Sequence, residues 1–133
     1  MDKKVTVKIG RDRYKTEVFM QEHSLIADEP QDVGGTNLGP NPKELLLASL
    51  GTCKSITIRM YADRKEWPLE AVEIDLSMGT QQAELQDTTF INCHIKLIGD
   101  LDDAQRKRLL LIGDKCPVHK LLSNPIVIDS NLI

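Results

Sequence analysis

The segment from Asn41 to Lys65 constrains this chain more than any other. Asn41 suits an N-cap, Pro42 the first helical position, and Glu44 the place of a capping-box carboxylate. With Pro68 beyond its end, the segment predicts one long helix running to about Lys65. Leu45, Leu46, Leu47, Ala48 and Leu50 make its first half apolar around nearly the whole circumference, so it must be covered on all sides. Ala48, Gly51, Thr52 and Ser55 form a ridge of small residues where another backbone can come close. Cys53 lies beside that ridge, on a face with Leu46, Ser49, Leu50, Ile56, Thr57 and Met60.

The flanking pattern is mostly strand. Val5, Val7 and Ile9 alternate with Lys4, Thr6 and Lys8, which predicts a half-buried strand. A turn at Gly10-Arg11-Asp12-Arg13 leads into a returning strand from Tyr14 to Met20, and His23 to Asp28 reads as a third, stopped by Pro30. The glycine-rich run from Asp32 to Pro40 lacks the ending of a phosphate loop and the spacing of a dinucleotide fingerprint, and reads as a connector. Val72 to Met78 predicts a fourth strand with one wet face, and Thr88 to Ile98 a fifth with Ile91, Cys93, Ile95 and Leu97 on one side. Asp102 or Asp103 caps a second helix through Ile112. Gly113 and Pro117 interrupt it around Cys116, a short helical piece continues to about Leu122, and Ile126-Val127-Ile128 is expected as a last strand. The order implies an α+β chain with no repeating βαβ unit. Its 133 residues suit one domain, 1–133. One sheet from so small a chain does not cover a helix that is apolar all round, so the expectation is a symmetric homodimer burying the central helices.

Charge and cysteine content narrow the function classes. A formal net charge of -3 argues against a nucleic-acid partner. No apolar stretch follows Met1-Asp2-Lys3-Lys4-Val5, so no secretory leader is expected, and no run approaches the roughly 18 apolar residues of a membrane span. Three cysteines, an odd number, fit a disulfide framework poorly and suit a reducing cytoplasm.

Cys53 and Cys116 are the strongest chemical candidates. Cys116 opens Cys116-Pro117-Val118-His119-Lys120, and a thiol at the head of a helix is expected to favour thiolate. If the two sulfurs meet, a thiolate can take the outer oxygen of a hydroperoxide, and the second thiol can condense with the sulfenic acid to a disulfide that a dithiol reductant opens. The bland alternative is two unpaired core cysteines. Cys93, alternating inward between Ile91 and Ile95, reads as a small buried hydrophobe. Cys116 and His119 have a ligand-like spacing, but Cys93 and His94 point to opposite faces of a strand, and no convincing zinc set emerges. Neither a metal nor a cofactor is called for. His23, at a strand start, is expected to be exposed or hydrogen-bonded, and Arg11 and Arg13 to be solvated in their turn. Trp67 reads as a plug at the helix end, and Arg106-Lys107-Arg108 as the wet face of the second helix.

The stretch from Gly34-Gly35-Thr36-Asn37 through Leu38-Gly39-Pro40-Asn41-Pro42 to Gly51-Thr52-Cys53 resembles the signature of the OsmC/Ohr family. Cys116-Pro117-Val118 resembles that family's second cysteine motif, and Ala27-Asp28-Glu29-Pro30 resembles OsmC-like members. The likeness runs in order through nearly the whole chain. It implies an OsmC-like fold, an intertwined homodimer with mainly antiparallel sheets packed around two long central helices. It also implies a thiol peroxidase acting on organic hydroperoxides or hydrogen peroxide and reset by a dithiol such as a lipoyl group. Cys53 would be the peroxidatic nucleophile and Cys116 the resolving thiol. The family's peroxidases place a glutamate directly after the helix-opening proline, where this chain has Lys43; Glu44 follows one step later, turned by about 100°. They also use an arginine from an early hairpin loop, for which Arg11 and Arg13 stand as candidates, and Lys43 would restore a positive charge near the site. A non-catalytic binding or stress-response scaffold is the alternative, and a general dithiol oxidoreductase is disfavoured by the lack of Cys-x-x-Cys.

Overall fold

In the computed structural model, which describes residues 4–133, the early alternation is realised as an antiparallel sheet. Its strands are β1 (Thr6–Ile9), β2 (Thr16–Met20) and β3 (His23–Ala27), in the order β1-β2-β3. Val7 pairs with Val18 and Val18 with Leu25, so one face carries an apolar row. The expected half-burial of the first strand is not realised within the chain: Val5, Val7 and Ile9 are 55%, 60% and 56% exposed. This sheet and the loop after it belong to one of two compact units, which ends at Leu46; the other is Leu47–Ile133.

The glycine-rich connector is more ordered than its composition suggests, because Asp28 gathers it. The carboxylate accepts from the backbone N–H groups of Tyr14 at 3.0 Å, Glu29 at 2.7 Å, Thr36 at 3.4 Å and Leu38 at 3.2 Å, and from the Thr36 hydroxyl at 2.6 Å. A 3-10 turn at Gln31–Val33 lies inside the loop. Gly35 and Gly39 are required by close approach: a Cβ there would overlap the carbonyls of Glu29 and Ile26.

Helix α1 (Pro42–Arg64) starts where its cap predicts. The Asn41 N–H donates to Glu44 Oε1 at 3.0 Å and the Glu44 N–H to Asn41 Oδ1 at 2.8 Å, which is a complete capping box. At the other end Glu66 turns left-handed (φ 57°), and the Trp67 N–H returns to the Ala62 carbonyl at 2.9 Å.

In the second unit, β4 (Leu69–Gln81) and β5 (Thr88–Gly99) form an antiparallel hairpin. Val72, Ile74, Leu76 and Met78 pair with Leu97, Ile95, Cys93 and Ile91 on the inner face. On the wet face Asp75 pairs with His94 and Glu73 with Lys96, so unlike charges meet at the second pair. Helix α2 (Asp103–Gly113) is capped by Asp102, whose side chain accepts from Gln105 N–H while Gln105 reaches back. The core is Ile58 and Ala62 of α1, Leu69 of β4, Leu101 just before α2 and Leu109 of α2, with Tyr61, Trp67, Val72, Ile95 and Leu97 against it. Trp67 closes the helix end as expected, edge-on to Tyr61 at 5.6 Å between centroids.

Two expectations fail in this unit. Arg106 is not part of a solvated face: its guanidinium donates to the carbonyls of Leu97 (2.7 Å), Gly99 (2.9 Å) and Leu101 (3.2 Å), tying the end of β5 to α2. Lys107 and Arg108 do stay exposed. Ile126–Ile128 forms no strand, because no ladder partner reaches it, and Val127 and Ile128 are 85% and 83% exposed. No helix among the described residues is long and apolar enough to cross a membrane.

Candidate functional site

Cys53 sits mid-way along α1, half-buried, and Cys116 ends the turn after α2 as N-cap of α3 (Pro117–Ser123). Gly113 lets that turn approach α1 closely: a Cβ there would press on Ile58 Cδ1 at 3.2 Å. Pro117 fits the first position of α3, where its missing N–H costs nothing. The result sets the Cys53 thiol close enough to Cys116 to influence its titration, with both cysteines reduced.

The two thiols differ in environment. Cys116 is 0% exposed, and its Sγ accepts the His119 N–H at 3.3 Å. The expected thiolate bias at a helix start is outweighed: burial pushes the Cys116 thiol up. The His119 N–H pulls it down, the neighbouring Cys53 raises it again, and the Lys54 charge lowers it. Cys116 is thus the shielded member of the pair. Cys53 is the one that solvent and solutes reach.

Sequence reasoning passed over Lys54, which is 2% exposed. Its Nζ lies 3.0 Å from Asp114 Oδ1, 2.9 Å from His119 Nδ1 and 3.4 Å from the Gly113 carbonyl. The signal was present. Leu50, Gly51, Lys54, Ile58 and Ala62 are the buried stripe of α1, and Lys54 is its single charge. A charge on such a stripe must find partners. A cavity of about 310 Å³ opens beside this cluster, with Lys54, Asp114, His119, Cys93, Leu50 and Ile91 in its wall. Cys93 therefore lies on the inner face of β5 as expected, but half-buried at a cavity and not sealed in the core. His94 takes the opposite, exposed face.

The remaining candidates are placed elsewhere along the chain. Glu44 is engaged in the Asn41 capping box, and Lys43 beside it is exposed. Arg11 and Arg13 are exposed in the turn between β1 and β2, and His23 is exposed at the start of β3. Among the described residues, no group of three or more His, Cys, Asp or Glu side chains is disposed to hold a metal ion.

The fold is similar to solved structures at low identity. A protein of Psychrobacter arcticus named for osmotic stress and detoxification superposes with a TM-score of 0.74 at 22% identity, covering 91% of this chain and 88% of that one. An OsmC-like protein of Mycoplasma pneumoniae gives 0.72 at 21% identity, covering 92% and 89%. An organic hydroperoxide resistance protein, OsmC, of Legionella pneumophila gives 0.68 at 21%, covering 90% and 89%. No curated protein matches the chain in sequence. The family model described as OsmC-like protein matches residues 35–131, from the glycine-rich loop through α1 and both cysteine motifs to the C-terminal segment. The chain belongs to the OsmC-like family.

Proposed function

We propose that this protein is a cytoplasmic, cysteine-based peroxidase for organic hydroperoxides, with hydrogen peroxide as a poorer substrate. The observation that carries the reading is the pairing of a reachable thiol, Cys53, with a buried one, Cys116, whose titration it influences. The Cys53 thiolate attacks the outer oxygen of the hydroperoxide; an S–O bond forms, the O–O bond breaks, and the alkoxide leaves as the alcohol after taking a proton. Cys116 sulfur then attacks the Cys53 sulfenic acid, forming the S–S bond and releasing water. A dithiol, of lipoyl or similar type, opens the disulfide by two exchanges and is itself oxidised. The difference in burial supports the division of labour: the exposed sulfur meets substrate, the sealed one only its neighbour. Ile56 and Met60, exposed on α1 near Cys53, favour an apolar peroxide.

A homodimer completes the reading. The segment Ile126–Ile128 is apolar and uncovered in a single chain, which supports a second copy as its cover. The alternative, a non-catalytic scaffold, draws its support from Glu44, whose carboxylate is occupied in capping.

One equivalent of cumene hydroperoxide decides between them. A peroxidase loses two thiols per chain within seconds, and Cys53→Ser abolishes peroxide consumption. Oxidation no faster than that of a free cysteine sinks the enzyme reading and leaves the scaffold.

A further inference from the structure

Lys54 follows Cys53 directly, so its side chain leaves α1 about 100° away, on the buried stripe. An ammonium has three donors and no acceptor. All three are engaged, by Asp114 Oδ1, the Gly113 carbonyl and His119 Nδ1. Because Lys54 cannot accept, His119 must present the lone pair of Nδ1 to it and carry its ring proton on Nε2. The same His119 donates its backbone N–H to Cys116 Sγ. One buried cation therefore links α1, the turn after α2, and the residue that caps the second sulfur.

We propose that Lys54 is the positioning residue of the resolving thiol: it clamps the Gly113–Cys116 turn against α1, fixes the tautomer of His119 and supplies the positive charge that lets Cys116 react as thiolate. The proposal rests on the dithiol reading above. Its step is the condensation in which Cys116 sulfur bonds to Cys53 sulfur, the S–O bond of the sulfenic acid breaks, and the oxygen leaves as water with the proton from Cys116. The oxidant is the hydroperoxide that made the sulfenic acid. Burial works against this step by holding the proton on Cys116, and Lys54 opposes burial. The ionisable groups around Cys116 are Cys53 and Lys54 from α1 and His119 from α3. Asp114, in the turn before Cys116, faces Lys54, and Cys93 of β5 shares the cavity wall.

The test is a single turnover with cumene hydroperoxide from about pH 7 to 11, comparing wild type, Lys54→Met and Lys54→Arg. Dimedone traps Cys53 still in the sulfenic form, and peptide mapping counts the Cys53–Cys116 bridge. Lys54→Met should move the pH midpoint of bridging upward, with bridging slowed about tenfold below it and the trapped sulfenate raised to match. Lys54→Arg should bring the midpoint back toward wild type. Superimposable profiles for wild type and Lys54→Met overturn the role of Lys54 while leaving the dithiol reading intact. Neither sulfenate nor bridge in wild type removes both. If Lys54→Met does not fold, nitrogen-15 NMR of His119 in the wild-type protein decides: a protonated Nε2 and a hydrogen-bonded, unprotonated Nδ1 support the proposal, and a protonated Nδ1 overturns it.

Discussion

Among the described residues, each of the two units holds one buried charge, and the two are satisfied in opposite ways. Asp28 in the first is met by four backbone N–H groups and one hydroxyl, all within 14 residues of it in sequence. Lys54 in the second is met by a carbonyl, a carboxylate and an imidazole, 59 to 65 residues away. The first arrangement shapes a loop. The Thr36 hydroxyl foremost, helped by the N–H groups of Glu29, Leu38 and Tyr14, holds the Asp28 carboxyl well below the usual carboxylate range against the opposing effect of burial. The second puts a cation among groups that can react. Buried charge by itself therefore does not mark a site; the chemistry of its partners does.

The largest effect should come from Asp28. Asp28→Ala leaves several backbone N–H groups without an acceptor and should lower Tm on the order of 10 °C, with faster hydrogen exchange at Thr36 and Leu38. A pH titration sharpens this. A carboxyl whose folded pKa is depressed contributes stability that is complete above its unfolded value, about 4, and is lost as pH falls through the folded value. Wild type should therefore lose stability as pH drops below about 4, and Asp28→Asn should lack that part of the acid limb. Lys54 should behave differently. Lys54→Ala should cost about 2–3 kcal/mol in urea unfolding by leaving a cavity under α1, whereas Lys54→Met, which refills the space, should stay within about 1 kcal/mol of wild type. The smallest effect belongs to Asp114→Asn: with Asp114 55% exposed, water can replace it, and the change should fall within about 0.5 kcal/mol. Equal losses for Asp28→Ala and Lys54→Met would break the comparison.

Much of this was legible because it is local. The capping box of Asn41 and Glu44, the Asp102 cap and the alternation along β4 and β5 are each written within a few residues. The family signature supplied what spacing could not, the expectation that Cys53 and Cys116 share a site. What was missed depends on how the chain folds back on itself. Arg106 sits in a basic run that looks solvated, and only the return of β5 supplies its carbonyls. Asp28 looks like a strand end until the loop closes on it. Cys116 has the cap position that favours thiolate, yet its complete burial decides the sign. Ile126–Ile128 has the composition of a strand but no ladder partner within one chain.

The central claim is that Cys53 and Cys116, and not Cys93, form one redox pair. Peptide mapping after stoichiometric oxidation with cumene hydroperoxide tests it most directly. The predicted result is a Cys53–Cys116 bridge within each chain, with Cys93 still open to alkylation. A bridge from Cys53 to Cys93, a bridge only between chains, or Cys53 carried past sulfenic acid with Cys116 still a free thiol would contradict it.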